Sequence, residues 1–268
     1  MTAPKMNSPG VIESKVMASK MISTKEQVEE IQEIAEGWTP HEALRWAFDT
    51  FGNDVAIASA FGVEGMVLID LASKLTPKFR LFSIDTDFLF PETYALMERV
   101  EQRYGIQIEK VYSKLSPAEQ EKEFGPALWS HNPDQCCYLR KVEPQRRKLG
   151  ELSAWVAAIR RDQTSARAAA KRVEWDAKFD LVKINPMVDW TSKQVWQYVH
   201  DHDVPYNVLH DRNYPSIGCT HCTRAVLPGE DPRSGRWANF GKTECGLHLK
   251  DAPEPLVQLP APIKYGDI

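Results

Sequence analysis

The stretch Val55-Ala56-Ile57-Ala58-Ser59-Ala60-Phe61-Gly62-Val63-Glu64-Gly65 decides the fold. Its apolar part, Val55–Ala60, has the length of a buried strand, and the following glycine-containing turn leads into a helix predicted over Met66–Lys74. The backbone N–H groups of such a turn, together with the helix N-terminus, form an anion site. The stretch matches neither a Walker A motif nor a G-x-G-x-x-G motif, so a plain tight turn is the alternative.

The same alternation of strands and helices continues along the chain. Further buried strands are predicted at Phe79–Ile84, Ile106–Val111, Ser153–Ile159 and Leu181–Ile184, with helices beginning near Pro91 and Pro117. Strands that alternate with helices predict an α/β fold, in which a Rossmann-like parallel sheet carries helices on both faces. Such sheets bind their ligands at the carboxyl ends of the strands, and we expect the functional site at that edge.

The two ends of the chain differ from this middle part. Residues 1–24 are predicted to form a disordered or loosely attached tail, and the α/β nucleotide-binding domain is expected to span residues 25–203. That domain opens with two amphipathic helices, the second of which has Thr39 as its N-cap and Pro40 in its first turn. Residues 204–268 are rich in proline, glycine and charge and are expected to form an irregular C-terminal segment.

Composition narrows the class of protein. The 268 residues carry a net charge of −4, which provides no general attraction to nucleic acid or to an anionic membrane, so neither partner is expected. No apolar run approaches the length of a membrane span, and the N-terminal residues lack the apolar core of a signal peptide. These features predict a cytoplasmic protein.

The five cysteines divide into two pairs and one remainder. An odd number in a reducing compartment disfavours a framework of disulfides. The pair Cys136-Cys137 and the C-x-x-C motif of Cys219 and Cys222 together offer four thiolates, which suit either a [4Fe–4S] cluster or structural zinc. Adjacent cysteines fit awkwardly around one small ion, whereas a cubane has four separate iron corners. The pattern therefore favours the cluster, with ordinary buried thiols as the alternative for the adjacent pair.

Cys245 stands apart from the two pairs. Lys242 precedes it by three residues and His248 follows it by three, and both side chains can stabilise a thiolate. Gly246 leaves the sulfur with little steric cover. Cys245 is therefore a candidate nucleophile, and a spare cysteine in a flexible tail is the alternative.

Polar and basic side chains near the cysteines and the strand ends predict an anionic ligand. Asp85 and Thr86 follow the second strand and are candidates to hold a ribose or a base. Guanidinium groups bind tetrahedral oxyanions in a bidentate manner. The basic candidates are Lys141, Arg167, Arg233 and Arg236, and a solvated charged face is the alternative for any one of them.

Several segments together resemble the assimilatory sulfonucleotide reductases. They are Cys136-Cys137-Tyr138-Leu139-Arg140-Lys141-Val142-Glu143-Pro144, Arg161-Asp162-Gln163-Thr164, Pro205-Tyr206-Asn207, Ile217-Gly218-Cys219, Cys222-Thr223-Arg224 and Glu244-Cys245-Gly246-Leu247-His248. The resemblance runs from about Val55 to His248. Both cysteine pairs together with the last motif are typical of the iron–sulfur branch, which uses adenosine 5′-phosphosulfate. The branch that lacks the four ligand cysteines uses the 3′-phosphorylated nucleotide.

The resemblance implies an adenine-nucleotide α-hydrolase-like fold in which Ser59–Gly65 is a modified pyrophosphatase loop, and it implies a homo-oligomer. It also implies a [4Fe–4S] cluster on the four paired cysteines and a C-terminal segment that folds Cys245 over the nucleotide. The residues expected to contact substrate are Ser59, Asp85, Thr86, Lys141, Arg167, Arg233, Arg236 and His248. The sequence departs from the family pattern at Ala60, Asp87 and Ala158, where small residues, mostly glycine, are usual.

The reaction expected from this resemblance is the thioredoxin-dependent reduction of adenosine 5′-phosphosulfate to sulfite and AMP. In it the Cys245 thiolate attacks sulfur, an S-sulfocysteine forms, and thioredoxin releases sulfite. Three alternatives stay open: the same chemistry on 3′-phosphoadenosine 5′-phosphosulfate, a zinc-stabilised ATP pyrophosphatase-type enzyme that activates nucleotides, and a non-catalytic iron–sulfur sensor. The pyrophosphatase alternative predicts a Ser-Gly-Gly-x-Asp-Ser loop, which residues 59–65 lack.

Overall fold

A six-stranded sheet forms the centre of the fold. The computed structural model describes residues 24–238, 240–242 and 244–248. The strands are β1 Val55–Ala58, β2 Arg80–Asp85, β3 Ile108–Tyr112, β4 Ala154–Ala157, β5 Val173–Asp176 and β6 Leu181–Ile184. They stand in the order β3-β2-β1-β4-β6-β5, so that β1 and β4 lie at the middle.

Strands are added to both sides of β1. It first builds β2 and β3 on one side and then returns to place β4 on the other. β1 pairs in parallel with both neighbours, and Ile57 stands opposite Leu81 in β2 and Val156 in β4. A reversal of this kind leaves a crevice at the carboxyl ends of the central strands, where open α/β sheets bind ligands. The predicted fold class is therefore confirmed.

One strand of the sheet was not expected from the sequence. β5 pairs antiparallel with β6 at the edge, and its Trp175 stands opposite Val182. Charged residues occupy alternate positions of β5, so it lacks the continuous apolar run that is typical of buried parallel strands. The other five strands occur where they were predicted, although β1 ends at Ala58 rather than Ala60 and β3 begins at Ile108 rather than Ile106.

Helices of very different lengths surround the sheet. Within the described residues the α-helices are α1 Lys25–Ala35, α2 Pro40–Phe51, α3 Val63–Leu75, α4 Pro91–Tyr104, α5 Pro117–Phe124, α6 Leu128–His131, α7 Pro133–Cys137, α8 Glu143–Leu149 and α9 Ser192–Asp201. A π-helical turn, Tyr138–Val142, joins α7 to α8. None of the helices in the described ranges combines the length and the apolar character that a membrane crossing requires.

The first two helices begin at reciprocal caps. The Thr39 hydroxyl accepts a hydrogen bond from the Glu42 N–H, and the Glu42 carboxylate accepts one from the Thr39 N–H at 2.7 Å. The predicted N-cap of α2 is therefore confirmed. Thr24 caps α1 in the same way, and the rest of the predicted N-terminal tail lies outside the described residues.

Each face of the sheet has its own apolar core, because successive residues of a strand point to opposite faces. Val55 and Ile57 of β1 pack into a large cluster with side chains of α1, α2, α3, α4 and α9. Ala56 points the other way and packs with Trp155 of β4 and Leu149 of α8. The sheet is thus covered on both faces, as the strand sequences predict.

Beyond α9 the described chain is irregular. Short 3₁₀ turns occur at Val208–Arg212 and Thr220–Cys222. Isolated bridges join Cys219 to Leu89 and Arg236 to Thr223, so the segment lies against the turn after β2. The irregular C-terminal segment agrees with the sequence, while the exact domain boundary near residue 203 stays a prediction.

A buried carboxylate joins three helices on the larger core. Asp70 of α3 is 4% exposed and accepts hydrogen bonds from the hydroxyl groups of Tyr104 at 3.0 Å and Tyr198 at 2.8 Å. It also pairs with Lys74 at 2.7 Å. Because Tyr104 belongs to α4 and Tyr198 to α9, this one side chain fixes the relative positions of all three helices.

We expect Asp70→Ala to lower the free energy of unfolding by about 2–3 kcal/mol, because two tyrosine hydroxyls and one ammonium lose their charged acceptor. Urea unfolding followed by circular dichroism measures this change. Asp49→Ala on the exposed side of α2 is the control, and we expect it to stay within about 0.5 kcal/mol of the parent. Equal losses in the two variants would contradict the structural role of Asp70.

Candidate active site

A cavity of about 810 Å³ opens at the carboxyl ends of β1, β2 and β4. This volume lies in the range of small-molecule sites. Its walls come from the strand ends, the π-helical turn and the C-terminal segment. The predicted site residues that line it are Ser59, Thr86, Lys141, Arg167, Arg233, Arg236, Cys219, Cys245 and His248. The fold thus brings most of the predicted side chains to one place.

A larger and more open cleft, of about 1170 Å³, lies at the opposite edge of the sheet. Its lining includes Val55, Arg80 and Ile108, which stand at the amino ends of β1, β2 and β3. None of the described residues predicted for the site lines this cleft. We place the candidate site in the smaller cavity because polar and thiol groups converge there.

The turn after β1 is tightly packed against the start of α3. Ser59 is buried, and its Oγ accepts a hydrogen bond from the Phe61 N–H at 3.1 Å. Phe61 has φ 57°, in the left-handed region. A Cβ atom at Gly65 would lie only 2.5 Å from Ser59 Oγ, so a glycine is required for this close approach. The turn thereby presents the N-terminus of α3 to the cavity, as an anion site requires.

An ion pair joins this turn to the segment after β4. Arg160, which is 6% exposed, lies 3.1 Å from Glu64 Oε1 through its Nη2 atom. Gln163 Nε2 donates to the same carboxylate oxygen at 3.0 Å. The sequence analysis missed this contact. Its only signal was that both partners follow strands that are adjacent at the point where the strand order reverses.

Asp85 does not line the cavity, although we predicted that it would hold a ribose or a base. Its Oδ1 atom accepts hydrogen bonds from the Tyr94 hydroxyl at 2.7 Å and from the Asp87 N–H at 3.0 Å. The buried carboxylate is therefore used to shape the turn after β2. Thr86 does reach the cavity, and its Oγ1 lies 3.3 Å from Cys219 Sγ.

The four paired cysteines line a second, small cavity. The residues around it are Phe88, Trp129, Cys136, Cys137, Arg140, Lys141, Cys219, His221 and Cys222. Burial raises the pKa of Cys136 to about 12, and the nearness of the other three thiols adds to the shift. Burial likewise raises the pKa of Cys222 to about 11. Two distant segments of the chain therefore bring four thiols close enough to interact.

This donor set fits a group held by four thiolates. Deprotonation of buried, neighbouring thiols is costly unless positive charge compensates it, and Arg140 and Lys141 provide such charge at the cavity wall. Across the described ranges, no three His, Cys, Asp or Glu side chains are grouped as ligands of a single metal ion. All four thiols nevertheless line one cavity.

Aromatic rings form much of the remaining wall of the four-cysteine cavity. The His221 ring stacks on Trp129 with centroids 4.6 Å apart and meets Phe88 edge-on at 5.0 Å. The sequence analysis did not single out these rings. Because an apolar shell limits the access of water to a metal site, they favour the retention of a bound group.

Lys141 lies between the two cavities and lines both. Burial by itself would lower the pKa of its ammonium group, but the thiols of Cys219, Cys137 and Cys245 outweigh this effect and raise it. Lys141 therefore stays positively charged between the four-cysteine cavity and the candidate nucleophile.

Cys245 is half-buried and lines the cavity of about 810 Å³ at the strand ends. Gly246 follows it with φ 91°, and its carbonyl oxygen accepts a hydrogen bond from Lys178 at 2.6 Å. Lys242, which we predicted to stabilise the thiolate, pairs instead with Asp134 at 2.6 Å. Lys141 and Arg233 both interact electrostatically with the Cys245 sulfur.

Glu244, immediately before Cys245, is the main site residue that the sequence analysis missed. It is 4% exposed and accepts two hydrogen bonds from Arg167, both at 2.9 Å. Arg233 and the Thr164 hydroxyl also donate to it, at 3.4 Å and 3.1 Å. Burial would raise the pKa of this carboxyl, but the charge of Arg167 outweighs it and lowers the pKa. Arg167 and Arg233, which were expected to hold substrate, thus form ion pairs with Glu244.

The last two predicted residues occupy the remaining wall. Arg236 is 8% exposed and donates to Ser216 Oγ and to the Ile217 carbonyl oxygen, both at 3.2 Å. The His248 ring stacks on Trp155 with centroids 5.8 Å apart. Burial lowers the pKa of His248 well below its usual value, and the charge of Arg167 adds to this. Near pH 7 His248 is therefore a neutral hydrogen-bonding group rather than a cation.

The amino-acid sequence identifies the protein family to which this chain belongs. Residues 54–225 match the model of the phosphoadenosine phosphosulfate reductase domain. The chain belongs to this family. The family resemblance that the cysteine motifs suggested is therefore confirmed, and the match begins just before β1 and continues past the C-x-x-C motif.

Relatives of the phosphoadenosine phosphosulfate reductase domain family match most of the chain. An adenosine 5′-phosphosulfate reductase of Shouchella clausii (strain KSM-K16) is 50% identical over 208 residues, which cover 77% of this chain and 86% of the relative. The adenosine 5′-phosphosulfate reductase 2 of Bacillus subtilis (strain 168) is 47% identical over 211 residues, with coverage of 77% and 88%.

A solved structure agrees with this assignment to the reductase family. The phosphoadenylyl-sulfate reductase of Candida auris, a phosphate complex, superposes with a TM-score of 0.66 at 35% identity and covers 76% of this chain and 98% of its own. The FMN adenylyltransferase of Candida glabrata with FAD and pyrophosphate has a TM-score of 0.53 at 16% identity, with coverage of 81% and 74%. The second likeness shows the fold alone, and it agrees with the predicted adenine-nucleotide α-hydrolase-like architecture.

We expect Glu244→Gln to loosen the segment that carries Cys245, because the amide cannot form the ion pairs with Arg167 and Arg233. Alkylation of Cys245 by iodoacetamide, followed by mass spectrometry of its peptide, should then be about tenfold faster, which corresponds to ~1.4 kcal/mol of local opening. The matched control is Glu230→Gln, which removes another carboxylate that accepts two bonds from one arginine, Arg224. An equal acceleration in both variants would contradict the role assigned to Glu244.

Proposed function

We propose that this chain is an assimilatory adenosine 5′-phosphosulfate reductase, which converts adenosine 5′-phosphosulfate to sulfite and AMP with thioredoxin as reductant. The observation that carries the proposal is that Cys245 shares one nucleotide-sized cavity with Lys141, Arg233 and Arg236, at the edge of the sheet where this fold binds ligands. Relatives that are 47% and 50% identical bear the name of this enzyme, which supports the proposal.

The nucleotide is proposed to lie across the carboxyl ends of the central strands. The adenosine moiety would pack near Ser59 and Thr86, where the strand ends leave room between the turns. Lys141, Arg233 and Arg236 would then hold the oxyanions of the phosphosulfate group, because ammonium and guanidinium groups are strong donors to tetrahedral anions. His248 would add one neutral hydrogen bond from its place against Trp155.

For Arg167 we propose a positioning role instead of the expected contact with substrate. Its two hydrogen bonds to Glu244 anchor the segment that carries the nucleophile. Asp85 likewise acts through the shape of the turn after β2 rather than by direct contact. Both residues would therefore affect binding by positioning the groups that touch the nucleotide.

The proposed reaction begins with attack by the Cys245 thiolate on the sulfate sulfur. An S–S bond forms, the bond between sulfur and the bridging oxygen breaks, and AMP leaves with the electron pair of that bond. Lys141 and Arg233 stabilise both the thiolate and the negative charge that grows on the departing phosphate. The enzyme is left as an S-sulfocysteine.

Release of sulfite needs two electrons from a dithiol. One thiolate of thioredoxin attacks Cys245 Sγ, and sulfite leaves with the electron pair of the S–S bond. The second thiol of thioredoxin then displaces Cys245, which returns to its reduced form while thioredoxin becomes a disulfide. Because this chemistry requires a reduced protein thiol, we also propose a cytoplasmic location. A homo-oligomer stays a prediction of the family resemblance.

We further propose that Cys136, Cys137, Cys219 and Cys222 hold a [4Fe–4S] cluster. The four thiols share one aromatic-walled cavity, and two of them are adjacent in sequence, which suits the separate iron corners of a cubane better than one small zinc ion. When bound, the cluster supplies a fixed local charge beside Lys141, while the two electrons of the reaction come from thiols.

Sulfite formation tests the proposed activity. The protein, supplied with reduced thioredoxin, should release sulfite from adenosine 5′-phosphosulfate much faster than from the 3′-phosphorylated nucleotide. Cys245→Ser should lower this rate by at least about a thousandfold, since a hydroxyl is a poor substitute for the thiolate. Unchanged iron content in the variant is the control for an intact protein. Full activity of Cys245→Ser would exclude the mechanism, and a preference for the 3′-phosphorylated nucleotide would exclude the proposed substrate.

Metal analysis tests the cluster. Anaerobically purified protein should contain about four iron and four sulfide per chain and absorb visible light. Cys222→Ser should lose most of this iron, because one thiolate ligand is replaced by a hydroxyl. About one zinc per chain in a colourless protein would instead support the zinc alternative.

A further inference from the structure

His210 lies in the wall of the candidate active-site cavity, and the proposed reaction leaves it unused. It belongs to the short 3₁₀ turn Val208–Arg212 and lines the cavity of about 810 Å³ at the strand ends. Its ring atom Nε2 is buried and has no hydrogen-bond partner among the residues that the structure describes. Because a buried polar atom without a partner is costly, its place in a cavity wall indicates a ligand that supplies the missing hydrogen bond.

Buried contacts hold the turn that carries His210 in place. The side-chain nitrogen of the fully buried Asn207 donates to Thr93 Oγ1 in α4 at 3.1 Å, and its side-chain oxygen accepts from the Leu209 N–H at 3.0 Å. The His210 ring meets the Trp196 ring of α9 edge-on, with centroids 5.4 Å apart, and Trp196 lines the same cavity. The imidazole is therefore positioned by packing, as a recognition group requires.

The hydrogen bonding of the ring determines which ligand group can bind to it. The ring forms a hydrogen bond with the backbone of Tyr214, and this bond favours a proton on the imidazole. Since Nε2 has no partner in the described chain, we assign that proton to Nδ1. Burial lowers the pKa of His210 and outweighs the opposing effects of Glu64, Tyr214 and Asp211, so the ring is neutral near pH 7. Nε2 therefore offers a lone pair to a donor on the ligand.

The charges around His210 differ from those around His248, the other histidine of this cavity. Two carboxylates, Glu64 and Asp211, interact electrostatically with His210, whereas arginines and lysines, Arg167 foremost, interact with His248. The cavity is thus acidic on one side and basic on the other. The oxyanions of a phosphosulfate group are attracted to the basic side and repelled from the acidic side, so the uncharged sugar suits the side of His210.

We propose that His210 is a binding residue that accepts, through Nε2, a hydrogen bond from a ribose hydroxyl group of the nucleotide. The inference rests on the proposed function. Ribose carries two adjacent hydroxyl donors, which suit the neighbouring acceptors of His210 and Glu64. A phosphate on the contacted hydroxyl would bring further acceptors against the lone pair and negative charge beside Glu64. The same contact therefore disfavours a ribose that is phosphorylated at this position.

Calorimetric titration with AMP, 2′-deoxy-AMP and 3′-deoxy-AMP tests the contact in the parent protein. We expect at least one deoxy nucleotide to bind about tenfold more weakly than AMP, because Nε2 is then left without its donor. The nucleotide that loses affinity identifies the hydroxyl. Equal affinities for all three nucleotides would overturn the inference without the need for a variant.

His210→Phe keeps a planar ring beside Trp196 and removes the acceptor. We expect the variant to bind AMP about tenfold more weakly than the parent does. It should bind the deoxy nucleotide that lacks the contacted hydroxyl about as well as the parent does, because that contact is already absent. Equal weakening for all three nucleotides would show that the change acts on the base, the phosphate or the fold, and the inference would fail. An AMP affinity equal to that of the parent would also overturn it.

His200→Phe is the matched control for the same change outside the cavity. The His200 ring stacks on the same Trp196 with centroids 6.0 Å apart, but His200 is exposed and does not line the cavity. We expect its AMP affinity to stay within about twofold of the parent. A loss as large as that of His210→Phe would show that any change beside Trp196 weakens binding, and the assignment to His210 would fail.

Sulfite formation by the parent keeps the two proposals apart. A parent protein that forms no sulfite from adenosine 5′-phosphosulfate refutes the proposed function. A parent that forms sulfite but binds AMP no more tightly than His210→Phe refutes only the role of His210.

Discussion

The parallel pairing of β1 with β2 on one side and β4 on the other is the constraint on which the rest of the structure depends. Because strands are added on both sides of β1, the turns that follow β1, β2 and β4 meet around one crevice. The glycine-containing turn after β1 and the arginine-rich segment after β4 then come close enough for Glu64 to pair with Arg160. The C-terminal segment closes the same crevice, and Cys245, the proposed nucleophile, reaches it without belonging to the sheet.

Positive charge inside this crevice is balanced by the protein itself. Arg160 is paired with Glu64 and Arg167 with Glu244, while Lys141 lies among thiols. Buried cations without such partners would be costly. An anionic ligand therefore enters a site that is already neutralised in part, and its affinity depends on how well it competes with these carboxylates. Arg233 is the clearest case, because it contacts both Glu244 and the cavity.

Sequence reasoning predicted the fold and the position of the candidate site better than it predicted the contacts within that site. The strand pattern predicted the correct fold class and the edge of the sheet at which the candidate cavity lies, because periodicity and strand length can be read from local sequence alone. The grouping of four cysteines followed from their spacing. By contrast, Glu244 and the ion pair of Lys242 with Asp134 were not predicted, because the partner of a charged side chain depends on distant segments such as the one around Arg167 and α7. The same limit explains Asp85, because its carboxylate accepts a hydrogen bond from Tyr94 and does not line the cavity.

The π-helical turn at Tyr138–Val142 has a consequence for how the family can vary in length. A π-helical turn contains one residue more than the α-helical turn it interrupts, as the bond from the Glu143 N–H to the Tyr138 carbonyl oxygen shows. Deleting one residue here would restore an ordinary helix and rotate everything on one side of it. Arg140 and Lys141 would then exchange or lose the cavities they face. The spacing between the cysteine pair and these two cations is therefore fixed by helix geometry, and this stretch should tolerate substitutions more readily than insertions or deletions.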